Sequence, residues 1–278
     1  MTRYDEWTAA QESTTVTVDG HDLDVAYYDD GSGDPVVFLH GIPTNSYLWR
    51  DVIDPIADRR RVIVPDMVGY GASAMHDGFD RSIRAQERML DALLTALDIQ
   101  SPSLVGHDLG GGVFLRYAAH NPDAVDELVL SNAVAYDSWP IQLVTDLGLP
   151  ETARTTSPEE MQTMLDDLFR DTLVGDDPDE ALVEGMTAPW NSAEGVTSLV
   201  RNAASTNTNH TTEIDPTAIT ADTLLLWGAD DEFQPIQWAE RLSDDIERAE
   251  LVGLDGASHW VMADRPDAYR THLSDFLR

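Results

Sequence analysis

Two residue types are missing from this 278-residue chain, which contains no cysteine and no lysine. Without cysteine, it cannot form a disulfide scaffold, a cysteine-ligated zinc or iron–sulfur site, or a thiol nucleophile. All 17 basic residues are arginine and the acidic residues number 51, so the formal net charge is −34. Such an excess repels phosphate backbones and anionic lipids unless a local basic patch offsets it.

No basic patch of that kind is present in the sequence. The densest cluster is Arg59, Arg60 and Arg61, which leads into an apolar strand. The apolar runs are far shorter than the roughly 20 residues that a membrane span needs. Residues 1–7 include no apolar stretch of the kind that marks a protein for export. We therefore expect a cytoplasmic protein that binds neither nucleic acid nor membranes.

The acidity does not indicate disorder. A hydrophobic fraction of 42% and an aromatic fraction of 8% are typical of a globular protein. Surface carboxylates repel one another at low ionic strength, but in about 1 M salt the Debye length shrinks to about 3 Å and the repulsion is screened. The composition therefore predicts a salt-rich cytoplasm, with an acidic partner-binding surface as the alternative.

Short apolar runs alternate with helical patterns along most of the chain. Thr14–Val18 and Leu23–Tyr28 have the alternation of a hairpin joined through Asp19-Gly20. Helical spacing covers Ile83–Leu97 and Val113–Ala119. Six further runs read as strands, most of them buried on both faces: Val36–Leu39, Val62–Val64, Ser103–Val105, Glu127–Leu130, Thr223–Leu226 and Ala249–Leu254. This order predicts an α/β fold with a mostly parallel central sheet flanked by helices.

The alternation stops from about residue 133 to residue 215, where only helical signals remain. One of them is Ser157-Pro158-Glu159-Glu160, which supplies an N-cap serine, a proline at the first helical position and a glutamate at the third. Ligands of open α/β sheets bind at the carboxyl ends of the strands, so helices inserted there would shape a pocket. We predict one core domain, residues 1–132 and 216–278, with a helical cap at 133–215.

The strongest chemical signal is Gly106-His107-Asp108-Leu109-Gly110, between a predicted strand and a predicted helix. It has the form of the nucleophile elbow G-x-S-x-G with aspartate in the serine position. The central residue of such an elbow sits in a strained turn, so small residues are needed on both sides. The carboxylate of Asp108 would project near a helix N-terminus, which stabilises its ionised form. A glycine-rich turn between a strand and a helix can also be a phosphate-binding loop or a connection without a function, and these alternatives stay open at this point.

Further signals agree with an elbow. Val36–Leu39 is followed by His40-Gly41-Ile42-Pro43, a loop that can donate a backbone N–H to an oxyanion hole completed by the N–H of Leu109. Asp230-Asp231 and later His259 follow two more strand-like runs. The order nucleophile, acid, histidine is that of an α/β-hydrolase triad.

Nearly the whole chain resembles the α/β-hydrolase fold enzymes and, within them, the haloalkane dehalogenases. The segment His40–Arg50 is very similar to the corresponding dehalogenase loop. Val64–Ser73 and the Gly-His-Asp elbow are similar to dehalogenases and epoxide hydrolases alike. The resemblance implies that Asp231 is the triad acid, with Asp230 as its competitor.

An aspartate nucleophile suits substitution at saturated carbon. Asp108, already ionised, can displace a leaving group without a general base and form an alkyl ester. His259 would then take a proton from the water that attacks this ester, while the triad acid holds the imidazole. The backbone N–H groups of Ile42 and Leu109 would stabilise the oxyanion. This chemistry suits alkyl halides and epoxides alike. The resemblance to dehalogenases implies hydrolytic dehalogenation of a small apolar haloalkane, with water as co-substrate, to alcohol and halide.

The leaving-group contacts distinguish the alternatives. Dehalogenases hold the halide with N–H donors at positions that are Leu109 and Ile42 here, which leaves the cap residues Trp139 or Trp190 as donors. Epoxide hydrolases use two cap tyrosines, but Tyr136 is the only tyrosine between residues 133 and 215. Both sets of contacts are therefore incomplete, and the similarity of Thr44–Arg50 to the dehalogenase loop is what favours dehalogenation over the opening of an epoxide to a diol. A ligand-binding protein without catalysis is a third, weaker alternative.

Neither a metal nor an organic cofactor is expected. No group of histidines and carboxylates has the spacing of metal ligands, and no phosphate-binding G-x-G-x-x-G follows a strand. The sequence makes no prediction of the oligomeric state.

Overall fold

One sheet organises the protein. The structure, a computed structural model, describes residues 1–175 and 178–277, and in those residues eight strands form the sheet. The strands are β1 (Glu12–Val18), β2 (His21–Gly31), β3 (Pro35–Leu39), β4 (Arg61–Pro65), β5 (Ser103–His107), β6 (Glu127–Ser131), β7 (Asp222–Gly228) and β8 (Ala249–Leu254). Their order is β1-β2-β4-β3-β5-β6-β7-β8. The pairs β1–β2 and β2–β4 are antiparallel and the other five are parallel, which confirms the predicted, mostly parallel α/β sheet.

The hairpin that begins the sheet turns where the sequence predicts it. Val18 pairs with His21, so Asp19 and Gly20 form a two-residue turn. Both have positive φ, 50° and 84°. Turns of this kind match the right-handed twist of the two strands, and Asp-Gly is among their favoured sequences.

Helices cover both faces of the sheet. They are α1 (Arg3–Ala10), α2 (Asp54–Ala57), α3 (Ile83–Ala96), α4 (Leu109–His120), α5 (Gln142–Leu147), α6 (Thr152–Thr155), α7 (Pro158–Thr172), α8 (Glu180–Thr187), α9 (Ala193–Ala204), α10 (Asn209–Thr212), α11 (Gln237–Asp245), α12 (Val261–Asp264) and α13 (Pro266–Phe276). Short 3₁₀ turns lie at Ser46–Trp49, Ala188–Trp190 and Pro216–Ala218. Within the described part of the chain, no helix combines the length and apolarity that a bilayer crossing requires.

Alternate residues of each central strand enter two different cores. In β3, Val37 and Leu39 belong to the core shared with α3 and α4, whereas Val36 and Phe38 belong to the core shared with α2 and α13. Burial on both faces explains why these strands have continuous apolar sequences instead of alternating ones.

The helix predictions are mostly confirmed, with two differences. Helix α7 begins with the predicted capping box, in which the N–H of Glu160 donates to Ser157 Oγ and the N–H of Ser157 to the Glu160 carboxylate. Helix α4 begins at Leu109, earlier than predicted, because its first turn is the glycine-rich part of the elbow. Helix α1 was not predicted, and only Trp7 of its residues is buried.

The described residues between β6 and β7 contain helices and no strand. Several hydrogen bonds join this segment to loops at the carboxyl ends of strands. The Trp190 indole N–H donates to the Pro43 carbonyl at 2.9 Å, and the Asn202 side chain donates to the Gly69 carbonyl at 2.7 Å. We propose that residues 133–215 form a cap over the end of the sheet where parallel strands place ligands.

Candidate active site

Asp108 lies at the turn between β5 and α4 in a conformation that few residues adopt. Its φ is 50° and its ψ is −118°, and only 4% of its surface is exposed. A Cβ atom at Gly106 would lie 2.8 Å from the backbone of Gly111, and one at Gly110 would collide with the Leu39 carbonyl. The glycines on either side are therefore required by close packing. A strained residue held this way is characteristic of a nucleophile elbow.

Backbone N–H groups stabilise the Asp108 carboxylate. The N–H of Ile42 donates to Asp108 Oδ1 at 2.8 Å. The N–H of Leu109 lies close enough to oppose the rise in the pKa of this carboxyl group. A Cβ atom at Gly41 would collide with the carboxylate, so the loop can approach only with glycine there. The structure thus brings both predicted oxyanion donors to the Asp108 carboxylate, beside the N-terminus of α4.

His259 and Asp231 reach Asp108 from two other loops. His259 Nδ1 lies 2.8 Å from Asp231 Oδ2, and His259 Nε2 lies 3.9 Å from Asp108 Oδ2. All three side chains are buried. Asp230, the competing acid, is exposed and accepts a hydrogen bond from the N–H of Gly256. The geometry therefore assembles Asp108, His259 and Asp231, with Asp230 outside the set.

Asn132 supports the acid and was not identified from the sequence. Its side-chain amide donates to Asp231 Oδ2 at 2.7 Å, and its side-chain carbonyl accepts from the N–H of Gly228 at 2.9 Å. The N–H of Phe233 donates to Asp231 Oδ1 at 2.7 Å. A signal was available, because Asn132 directly follows β6, the strand beside β5 and β7.

A largely apolar cavity of about 420 Å³ opens above Asp108 and His259. Its other lining residues are Ile42, Pro43, Trp139, Ile141, Leu143, Val144, Asp146, Leu147, Thr152, Met164, Leu165, Asp167, Leu168, Asp171, Phe233, Gln234 and Trp260. The exposed members lie on α5 and α7. The mouth therefore lies between these two cap helices, and three aspartates surround it.

The three predicted cap contacts have different positions. Trp139 lines the cavity, is 3% exposed, and its indole N–H has no hydrogen-bond partner among the described residues. The Trp190 indole N–H is instead bound to the Pro43 carbonyl, and the Tyr136 hydroxyl donates to Asp245 at 2.6 Å. Neither Trp190 nor Tyr136 is among the residues that line the cavity. Neither residue makes the predicted leaving-group contact, because its polar atom is already hydrogen-bonded to another part of the fold.

No metal centre accompanies this site in the part of the chain that the structure describes. Within residues 1–175 and 178–277, no group of three or more histidine, aspartate and glutamate side chains is arranged to hold a metal ion.

A family model described as the alpha/beta hydrolase fold matches residues 34–266, which include the elbow, Asp231 and His259. The chain belongs to the α/β-hydrolase fold family. It is 27% identical to haloalkane dehalogenase 2 of Mycobacterium bovis over 256 residues, covering 87% of both chains. It is 28% identical to 2-hydroxy-6-oxo-2,4-heptadienoate hydrolase of Pseudomonas putida over 259 residues, covering 92% of this chain and 93% of the relative.

Solved structures of this family include similar folds. A putative ancestral haloalkane dehalogenase matches with a TM-score of 0.75 and 25% identity, over 95% of this chain and 98% of the other. The α/β hydrolase described above is therefore similar to dehalogenases and to other hydrolases of the family.

The charges in this α/β hydrolase influence one another. Burial raises the pKa of Asp108, and the nearby His259 and the N–H groups of Ile42 and Leu109 oppose that rise. Burial would lower the pKa of His259, but the carboxylates of Asp231 and Asp108 outweigh it, so this pKa lies above its usual value. The pKa of Asp231 is lowered, because His259 and its hydrogen bonds outweigh burial. The imidazole therefore responds to the charge on Asp108.

Neutralising Asp108 is expected to lower the pKa of His259. In Asp108→Asn the attraction between this carboxylate and the imidazolium is lost, so the ring releases its proton at a lower pH. An NMR pH titration of the His259 ring measures the change, and Asp230→Asn serves as the matched control that leaves the titration in place. An unchanged or higher pKa in Asp108→Asn contradicts this coupling.

Proposed function

We propose that the chain hydrolyses carbon–halogen bonds, with Asp108 as the nucleophile. The observation that carries this proposal is the geometry of one carboxylate in an apolar cavity. Ile42 holds Asp108 Oδ1, while Asp108 Oδ2 lies 3.9 Å from His259 Nε2, outside hydrogen-bonding distance. Because no proton is shared between these two atoms, Oδ2 keeps a lone pair for attack on a substrate carbon.

The first step makes a covalent ester. Asp108 Oδ2 attacks the saturated carbon that bears the halogen, the carbon–halogen bond breaks, and the electron pair leaves with the halide. A carboxylate does this without proton transfer, so His259 is not needed at this stage. The product of this step is an alkyl ester of Asp108, and its side chain no longer carries a charge.

The second step uses the change in charge. Once Asp108 is esterified, the attraction that helps to raise the pKa of His259 is lost, and the imidazole is more readily neutral. His259 Nε2 can then take a proton from a water molecule whose oxygen attacks Asp108 Cγ. The N–H groups of Ile42 and Leu109 stabilise the oxyanion. The bond between Cγ and the alkoxide oxygen then breaks, and the alcohol leaves with one of the two water protons. The other proton is released to solvent through His259, which restores the Asp108 carboxylate.

The polar groups of the cavity favour a halide over an epoxide oxygen. The unpartnered indole N–H of Trp139 can donate to an anion that leaves without a proton. An epoxide oxygen needs an acid to protonate it, and no tyrosine is present among the described lining residues. Epoxide opening therefore has less support. The intact Asp108, Asp231 and His259 constellation speaks against a ligand-binding protein that has lost catalysis.

A variant that stops the second step tests this proposal. His259→Ala lacks the base, so hydrolysis of the ester is expected to fall by about 10³-fold or more. With 1-bromobutane in concentrated potassium acetate, we expect one bromide released per chain. Intact mass analysis should then find one butyl group on Asp108, whereas the wild type releases bromide continuously.

The His259→Ala/Asp108→Asn double variant is the control, and it should release no bromide and gain no mass. Terminal epoxides are run in parallel with each protein. Diol formation without any bromide release would transfer the assignment to epoxide hydrolysis. The absence of both products and of any adduct would contradict the proposed nucleophilic mechanism.

A further inference from the structure

Gln234 is a buried amide in the cavity wall that the proposed mechanism does not use. It is 1% exposed and lines the same cavity as Asp108 and His259. Its side-chain carbonyl Oε1 is buried and has no hydrogen-bond partner in the described structure. A buried amide oxygen without a partner costs free energy unless a water or a ligand satisfies it, and of the amide oxygens in this state that of Gln234 belongs to a residue lining the cavity.

The backbone of Gln234 is fixed by the triad acid and by the sheet. The residue lies three positions after Asp231, whose carboxylate accepts backbone hydrogen bonds from Phe233 and Gln234. The indole N–H of Trp227 at the end of β7 donates to the Gln234 carbonyl at 2.7 Å. A side chain on so rigid a base is placed with the precision that substrate recognition requires.

Gln234 differs from other buried polar groups of the cavity in the hydrogen bonds that it can form. Asp108 and His259 take part in the proposed chemistry, and the indole of Trp139 can only donate a hydrogen bond. The Gln234 amide can both accept through its carbonyl and donate through its NH₂ group. A hydroxyl group has the same dual character, whereas a halide or an ether oxygen only accepts.

We propose that Gln234 is a specificity-determining residue, which hydrogen-bonds a neutral hydroxyl substituent carried by the substrate in addition to its halogen. The preferred substrate class is then the haloalcohols. The amide offers no charge to balance an anionic substituent, and Asp146, Asp167 and Asp171 surround the mouth. Halogenated carboxylic acids are therefore disfavoured. This inference rests on the proposed function for its turnover test.

The turnover test compares 6-bromohexan-1-ol with 1-bromohexane by bromide release. Gln234→Met keeps the length of the side chain and removes both hydrogen-bonding groups. We expect it to lower the ratio of kcat/KM for the bromoalcohol to that for the bromoalkane by about tenfold. Trp139→Phe is the matched control, because loss of a leaving-group donor lowers both rates and leaves the ratio near its wild-type value.

An unchanged ratio in Gln234→Met, or an equal fall for both substrates, would overturn the inference. A second measurement does not depend on catalysis. Calorimetry compares the binding of hexane-1,6-diol and hexan-1-ol to the wild type and to Gln234→Met, and thermal melting checks that the variant is folded. We expect the variant to lose affinity for the diol relative to the alcohol by a similar factor.

The two measurements separate the two proposals. Bromide release without a change in either ratio would refute the role of Gln234 and leave dehalogenation supported. A Gln234-dependent preference for the diol without bromide release from either substrate would support the recognition of a hydroxyl group and refute dehalogenation.

Discussion

Replacing Asp231 with asparagine is expected to lower steady-state turnover by about 10³- to 10⁴-fold, as measured for the corresponding change in a serine protease triad. Asp231 Oδ2 lies 2.8 Å from His259 Nδ1, and this pairing keeps the proton on Nδ1. An asparagine can present its NH₂ group to Nδ1 instead. The proton then moves to Nε2, which can no longer accept one from water.

Asp230→Asn is the matched control for this prediction. Its carboxylate is exposed and accepts from the backbone of Gly256, so we expect turnover within about twofold of the wild type. The first turnover adds a second criterion. Because attack by Asp108 needs no base, Asp231→Asn should still release one bromide rapidly before the slow phase. Equal effects of the two variants, or loss of the rapid phase in Asp231→Asn, would contradict the assigned roles.

Salt is expected to produce the largest change in stability. Even if every arginine neutralised one acidic residue, 51 − 17 = 34 carboxylates would remain without a compensating charge. Many of the arginines are already paired; Arg116, for example, contacts both Glu87 and Glu213. Screening the remaining repulsion should raise the melting temperature by about 10 °C or more between low salt and 2 M KCl.

The shape of the salt curve distinguishes screening from general salting-out. The Debye length falls from about 30 Å at 0.01 M to about 3 Å at 1 M, so the rise due to screening should occur mainly below 1 M. Differential scanning calorimetry across this range measures it, with sucrose of equal osmolality as the uncharged control. A flat curve, or a rise only at the highest salt concentrations, would contradict adaptation to a salt-rich cytoplasm.

Local patterns predicted the elements that depend on local physics. The turn at Asp19-Gly20 requires positive φ at two adjacent positions, and the start of α7 requires the capping pair Ser157 and Glu160. The tight turn at Asp108 was also predictable, because it excludes side chains at Gly106 and Gly110. Each of these features is determined by a few consecutive residues, so it can be predicted without knowledge of the tertiary structure.

Features set by distant contacts were not predictable in the same way. Asp230 and Asp231 are adjacent in sequence, and only the meeting of β7 with the loop after β8 determines which one faces His259. Trp139 and Trp190 have the same side chain, but their indole N–H groups differ in the fold. That of Trp190 donates to the Pro43 carbonyl, 147 residues away in the sequence, whereas that of Trp139 has no partner among the described residues. Helix α1 has its own capping box at Thr2 but lacks an apolar stripe that would mark it.

The bond between Trp190 and Pro43 limits how this enzyme can evolve. Pro43 directly follows Ile42, whose N–H holds the Asp108 carboxylate, so one cap side chain braces the loop that we propose stabilises the oxyanion. The cap is therefore not an independent module that can be exchanged to change substrate range while the chemistry stays constant. Mutations that reshape the cap near Trp190 will alter kcat together with KM, and adaptation to a new substrate must preserve this brace.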